Sequence, residues 1–127
     1  GFSITNNTLG RPTRITAGYS GVYNLQFSAQ LNRPSGGGGT AKQVDIWIAI
    51  NGTNVPYSTT GITMQANDNK IVAAWNFFVN ASANDYYELM WSSTNANTII
   101  DYEVSTGSGA TLHPEIPSVI LTVNQVG

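Results

Sequence analysis

The chain has 127 residues, which is enough for one domain with its own hydrophobic core. It has no cysteine, which excludes disulfide bonds and thiolate chemistry. Only 9% of the residues are charged and the net charge is −2, which argues against the clustered lysine and arginine that nucleic-acid binding requires. No apolar run is long enough to span a bilayer, so we expect no membrane insertion. We expect residues 1–127 to be a single domain from the C-terminal end of a longer chain.

Alternating apolar and polar residues mark the strands of the first half. Short strands are predicted at residues 2–5 and 13–16, and a long strand at residues 21–31. In the long strand the apolar side chains alternate with uncharged amides and hydroxyls, so one face belongs to the core and the other is neutral and polar. Four glycines at residues 36–39 predict a loop, because a phosphate-binding loop needs a lysine, a hydroxyl residue and a helix at fixed spacing.

A hairpin follows the next strand. Residues 43–50 alternate cleanly and end at Asn51-Gly52, a pair that favours a type I′ turn. Residues 71–79 are apolar on both faces, which predicts a strand covered on both sides. Further strands are predicted at residues 53–57, 61–65, 86–92, 98–104 and 118–126. Many short strands without helical periodicity predict an all-β fold, a two-sheet antiparallel sandwich or a barrel.

The pattern Gly21-x-Tyr-x-Leu-x-Phe27 resembles the glycine–aromatic strand of the complement-component globular head and tumour-necrosis-factor-like superfamily. Residues 84–89 and 118–123 resemble a turn-and-strand and the closing strand of that superfamily. A more specific likeness extends from about residue 14 to residue 127, and it is to C-terminal domains of structural proteins of tailed bacteriophages, especially those infecting marine bacteria. It rests on residues 23–31, 45–48, 51–53, 73–77 and 116–121.

The resemblance implies a jelly-roll sandwich of about ten strands that forms a homotrimer. It also implies that the strand at residues 21–31 lies beside the final strand and the strand at residues 86–92, with the outer face of this sheet against the neighbouring subunits. The interface residues expected on this basis are Asn24, Gln26, Ser28, Gln30, Tyr86, Glu88, Met90, Thr122 and Asn124. The alternative is an ordinary solvated sheet face.

The sequence offers little support for catalysis or metal binding. Asp101 and Glu103 share a strand face, which a solvated surface explains more simply than a glycosidase pair does. His113 is the only histidine, so it cannot build a zinc site, and no nucleophile motif accompanies it. Asp68 lies in the best local cluster for calcium, yet a turn explains residues 67–69 more simply, without a metal. We therefore expect no enzyme activity and no cofactor.

The function that these features favour is attachment of a bacteriophage to its host by a trimeric fibre or spike tip. The domain would lie on the surface of the extracellular particle, and its partners would be other virion proteins and a polysaccharide or protein receptor on the host. Contacts are expected in the loops, at residues 35–42, 53–60, 66–70, 93–98 and 105–114. Trp47, Tyr57 and Tyr102 are the aromatic residues that could stack on a sugar.

Three alternatives remain open. One is a trimerisation or capsid-decoration domain without a ligand of its own. Another is a bacterial surface or spore trimer of the same superfamily. The least favoured is a hydrolase acting on cell-surface polysaccharide, because no carboxylate pair or nucleophile system stands out.

Overall fold

The computed structural model describes residues 1–33, 40–65 and 70–127. These residues form ten strands in two antiparallel sheets, which confirms the predicted all-β sandwich. The strands are β1 (Phe2–Thr5), β2 (Arg14–Ala17), β3 (Gly21–Asn32), β4 (Lys42–Ile50), β5 (Thr53–Asn54), β6 (Thr60–Met64), β7 (Lys70–Ala81), β8 (Tyr86–Ser93), β9 (Ile99–Ile100) and β10 (Val119–Gln125). In the described ranges, no helix has the length and apolar character needed to cross a membrane.

Each sheet is organised around one long strand. In the β4 sheet the order is β1-β2-β8-β4, and both β5 and β6 pair with the other edge of β4. In the β3 sheet the order is β10-β3-β7, and β9 also pairs with β3. β3 pairs with β7 over its full length, and seven of its residues pair with β10.

The core lies between the sheets, and β3 contributes to both of its clusters. Tyr23 and Leu25 pack in one cluster with residues of β4, β7 and β8. Phe27, together with Ala29 and Leu31, packs in the other with residues of β4, β6 and β7. The ring of Phe27 meets Trp75 edge-on, with 4.6 Å between ring centroids. Because its apolar side chains alternate, β3 contributes to the core along its whole length.

The predicted hairpin is confirmed at the end of β4. Asn51 and Gly52 have φ angles of 50° and 81°, as a type I′ turn requires. The Asn51 side chain also accepts a hydrogen bond from the Tyr86 amide at 3.0 Å and donates one to Asp85 at 2.9 Å. The hydrogen bond from Asn51, with a second from the Ser82 amide, holds the pKa of Asp85 below its usual value. These side-chain hydrogen bonds attach the turn to the start of β8.

The predicted position of residues 86–92 beside β3 is wrong. These residues form β8, which lies in the β4 sheet between β2 and β4. β3 has no edge left for β8, because β7 occupies one side and β10 with β9 occupies the other. The alternation within β8 was predicted correctly, since Tyr87 is buried and Glu88 is not.

The predicted strand at residues 98–104 is also shorter than expected. Only Ile99–Ile100 pairs with β3, opposite Asn32 and Leu31. One residue further along β3, the Gln30 amide donates to the carbonyl oxygen of Ser118, at the start of β10. Because β10 takes over this edge of β3, the chain after β9 must leave the sheet.

We predict that Phe27→Ala lowers the free energy of unfolding by about 3–5 kcal/mol, because it leaves a cavity in the core. Urea titration of wild type and variant measures the difference. Tyr19→Ala is the control, since the Tyr19 side chain is 68% exposed and its loss should change stability by less than about 0.5 kcal/mol. Equal effects of the two substitutions would contradict the assigned core.

We also predict a loss of stability between about pH 10 and pH 12 that depends on Tyr87. Burial, and then the nearby charge of Asp85, raises the pKa of Tyr87 from 10.0 to about 12. The folded protein therefore keeps this proton at a pH where the unfolded chain loses it, so the contribution is complete below pH 10 and is lost as the pH rises towards 12. Urea midpoints across this range should fall less in Tyr87→Phe than in wild type, whereas Tyr19→Phe should follow wild type.

Candidate functional site

The outward side of the β3 sheet carries most of the predicted interface residues. On β10, Thr122 lies opposite Gln26 and Asn124 lies opposite Asn24. The alternation of β3 places every second side chain from Val22 to Gln30 on this side. The predicted residues found here are Asn24, Gln26, Ser28, Gln30, Thr122 and Asn124. We call the outward side chains of β3, β7 and β10 the neutral face.

Three large apolar side chains stand on the neutral face. Phe78 and Val72 of β7 are 66% and 58% exposed, and Ile120 of β10 is 53% exposed. Sequence reasoning did not assign these residues to the interface. The signal was present, because residues 71–79 are apolar on both faces, but it predicted a strand covered on both sides. In the single chain, the described residues leave this second face of β7 open.

The neutral face has no charged side chain in its central part. None occurs among the outward residues of β3 from Val22 to Gln30, of β7 from Val72 to Asn80, or of β10. Lys70 lies at the margin, where it contacts Glu103. Amide groups pair within the face instead, since Asn76 Nδ2 donates to Asn24 Oδ1 at 3.1 Å.

The relief of this face is uneven. A shallow depression is lined by Gln26, Ala74 and Asn76, in part because Ala74 has a small side chain. Phe78 projects from the same strand, two residues beyond Asn76. A projection and a hollow therefore lie side by side on one uncharged surface.

The other three predicted interface residues lie on the opposite side of the sandwich. Tyr86, Glu88 and Met90 face outward from the β4 sheet. The guanidinium of Arg14 lies 4.1 Å from the centre of the Tyr86 ring, and Glu88 accepts a hydrogen bond from Thr13 at 2.7 Å. These residues are therefore not continuous with the neutral face, because β8 belongs to the other sheet.

Two of the three aromatic candidates lie at the same edge of the β4 sheet. Trp47 Nε1 donates to Asn54 Oδ1 at 2.8 Å, which fixes the indole ring on the outward face. Tyr57 is fully exposed and has a φ of 62°, an unusual conformation for a tyrosine. Its neighbour Ser58 hydrogen-bonds to Ile48, so the loop that carries Tyr57 is attached beside Trp47. We call Trp47, Asn54 and Tyr57 the aromatic edge.

Tyr102 is separate from this edge. It follows β9, which pairs with β3, and its side chain is 56% exposed. Of the predicted contact loops, residues 35–39 and 66–69 lie outside the described residues. The glycine run at residues 36–39 and the predicted turn around Asp68 therefore lie outside them as well.

The remaining titratable candidates make contacts that stabilise loops. His113 Nδ1 donates to the carbonyl oxygen of Pro114 at 2.7 Å, and Nε2 lies 2.9 Å from Thr106 Oγ1. Asp101 accepts a hydrogen bond from Asn32 at 2.7 Å, whereas Glu103 contacts Lys70. Over residues 1–33, 40–65 and 70–127, no three of the His, Asp and Glu side chains are placed to hold a metal ion.

Comparisons with known proteins do not identify either surface. No family model matches the chain, and no curated protein gives a significant match.

Proposed function

We propose that this chain is a homotrimeric module of a bacteriophage virion that attaches the particle to the surface of a host cell. The observation that carries the proposal is the neutral face, an uncharged sheet surface with three exposed large apolar side chains. The number of subunits and the virion rest on the sequence resemblance described above.

Assembly through the neutral face is physically favourable for two reasons. Burial of Phe78, Val72 and Ile120 in a subunit contact removes apolar surface from water. No charge has to be desolvated in the centre of the face, which avoids the main cost of burying polar surface. Phe78 of one subunit would insert into the depression at Gln26, Ala74 and Asn76 of its neighbour. Aromatic side chains buried in such pockets contribute much of the binding energy of protein interfaces.

Attachment is assigned to the aromatic edge because assembly would leave it free. The two sheets pack core to core, so their outward faces point in opposite directions. Subunits that associate through the neutral face therefore keep Trp47 and Tyr57 accessible. The Trp47 ring is held by its hydrogen bond to Asn54, and Ser58 anchors the loop that carries Tyr57. Aromatic side chains held in this way bind with little loss of conformational freedom.

We predict that the wild-type chain sediments as a trimer, three times 13.6 kDa, at micromolar concentration. Phe78→Asp should convert it to monomer, because three carboxylates would be buried in the assembled interface. The milder Phe78→Ala should weaken association by about 2 kcal/mol per contact, or about 30-fold.

Leu9→Asp is the matched control for this experiment. Leu9 is an exposed apolar residue, 76% accessible, that lies outside the neutral face. The control should remain a trimer. A wild-type chain that stays monomeric, or a Phe78→Asp variant that stays trimeric, would refute assembly through this face.

We predict that the fluorescently labelled trimer adsorbs to bacterial cells in a panel that includes marine isolates. Trp47→Ala or Tyr57→Ala should weaken adsorption about tenfold, which corresponds to about 1.4 kcal/mol. Tyr102→Ala is the control, because Tyr102 is also an exposed aromatic residue but follows β9, which pairs in the other sheet. Flow cytometry gives the bound fraction, and size-exclusion chromatography shows whether each variant is still a trimer.

A trimer that adsorbs to no cell would favour the structural alternative, a trimerisation or capsid-decoration domain. The uncharged neutral face supports that alternative as well, because assembly through it needs no ligand. If adsorption is lost equally in all three aromatic variants, the aromatic edge is not the contact surface.

A further inference from the structure

A cavity of about 350 Å³ opens between the two sheets at one edge of the sandwich. Its walls come from both sheets and are mostly apolar. The lining side chains that define it are Ile4, Ile15, Leu89, Trp91, Val119 and Leu121.

The cavity exists because the sheets differ in width. β1 and β2 extend the β4 sheet on the side where β10 ends the β3 sheet. Ile4 pairs with Ile15 and faces the inside of the sandwich, yet its side chain is 74% exposed. Trp91 also faces inward and is 39% exposed. In the described part of the chain, no strand of the β3 sheet covers these residues.

The mouth of this cavity is the free edge of β10. The Ser118 carbonyl accepts from Gln30 and the Val126 amide donates to Val22, so alternate residues between them bond to β3. Val119, Leu121, Val123 and Gln125 therefore point their amide and carbonyl groups away from β3. Among the described residues, no strand pairs with that side.

We propose that this edge binds an extended segment of a partner polypeptide, which adds a strand to β10 and fills the cavity with alternate apolar side chains. A strand at about 4.8 Å from β10 would lie across from β1 and β2. Its backbone would satisfy the free groups of β10, and every second side chain would point into the cavity. The cavity is about twice the size of an apolar cavity that holds one benzene, so it has room for about two apolar side chains of the added strand.

The electrostatics of the site define the chemistry of the partner. β10 carries no charged residue and no proline, so it lacks the features that usually block strand addition at an edge. Arg14 also contributes to the wall, but its guanidinium is stacked on the Tyr86 ring, and the lining side chains that define the cavity are apolar. The inserted side chains must therefore be uncharged and apolar. A small hydrocarbon would fill the volume but would make no hydrogen bonds to the backbone groups of β10, whereas a strand does both.

This inference does not depend on the proposed trimer. The added strand would lie at the side of β10, whereas the neutral face is the outward surface of the same sheet. Strand addition and assembly through Phe78 can therefore be measured separately.

The test uses the full chain and a labelled, end-capped nine-residue peptide with valine at alternate positions and threonine or lysine between them. We expect saturable binding in fluorescence anisotropy and slower hydrogen exchange at the Leu121 and Val123 amides. The same peptide, N-methylated on the residues that would pair with β10, should bind at least tenfold more weakly, because its side chains are unchanged and its edge donors are lost.

A second pair of variants tests the cavity. Ile4→Trp should fill it and reduce peptide binding at least tenfold, while Leu9→Trp, another exposed apolar position, should leave binding unchanged. The proposal is overturned if the peptide does not bind up to about 1 mM. It is also overturned if the methylated peptide binds equally well, which would indicate a hydrocarbon site, or if the two amides become protected by raising the protein concentration alone, which would indicate pairing with a second copy.

Discussion

The pairing of β3 on both edges is the constraint on which the rest of this structure depends. β7 takes one side along all twelve residues, and β10 with β9 takes the other. The inward side chains of β3 contribute to both core clusters. Because a strand has only two edges, β8 must pair in the opposite sheet and β9 must end where β10 begins. The division of the chain between two sheets therefore follows from how the edges of one strand are filled.

The two outward faces differ in charge, and the difference has a functional consequence. The outward face of the β4 sheet carries Arg14, Asp45 and Glu88, each with a polar or aromatic contact. The neutral face carries amides, hydroxyls and three exposed apolar side chains. Water solvates the first face well, whereas the second loses little by leaving water. This contrast in charge is the basis of the proposed division, in which the neutral face meets another subunit and the other sheet stays exposed.

The unequal width of the sheets creates a further incomplete surface. Most inward residues of β3 are covered by strands of the β4 sheet, but Ile4 and Trp91 face a gap. A domain with an apolar cavity next to an unpaired strand edge has two capacities left: it can bury further apolar surface, and it can form further backbone hydrogen bonds. In the described ranges these two capacities coincide along β10, where the edge of the β3 sheet faces the wider sheet.

The sequence by itself determined the local structure of this protein, because alternation and turn chemistry act over a few residues. The strand at residues 21–31, the Asn51-Gly52 turn and the two faces of β8 all followed from neighbouring residues. The amide face of β3 was also correctly identified as neutral. The exposed apolar residues beside it on β7, Val72 and Phe78, were instead assigned to a strand covered on both sides. Only the tertiary structure decided which strands are neighbours. Pairing joins residues that are distant in the chain, so local patterns do not determine it. It separated Tyr86, Glu88 and Met90 from the neutral face. It also brought Trp47 beside the loop that carries Tyr57 and left the cavity along β10.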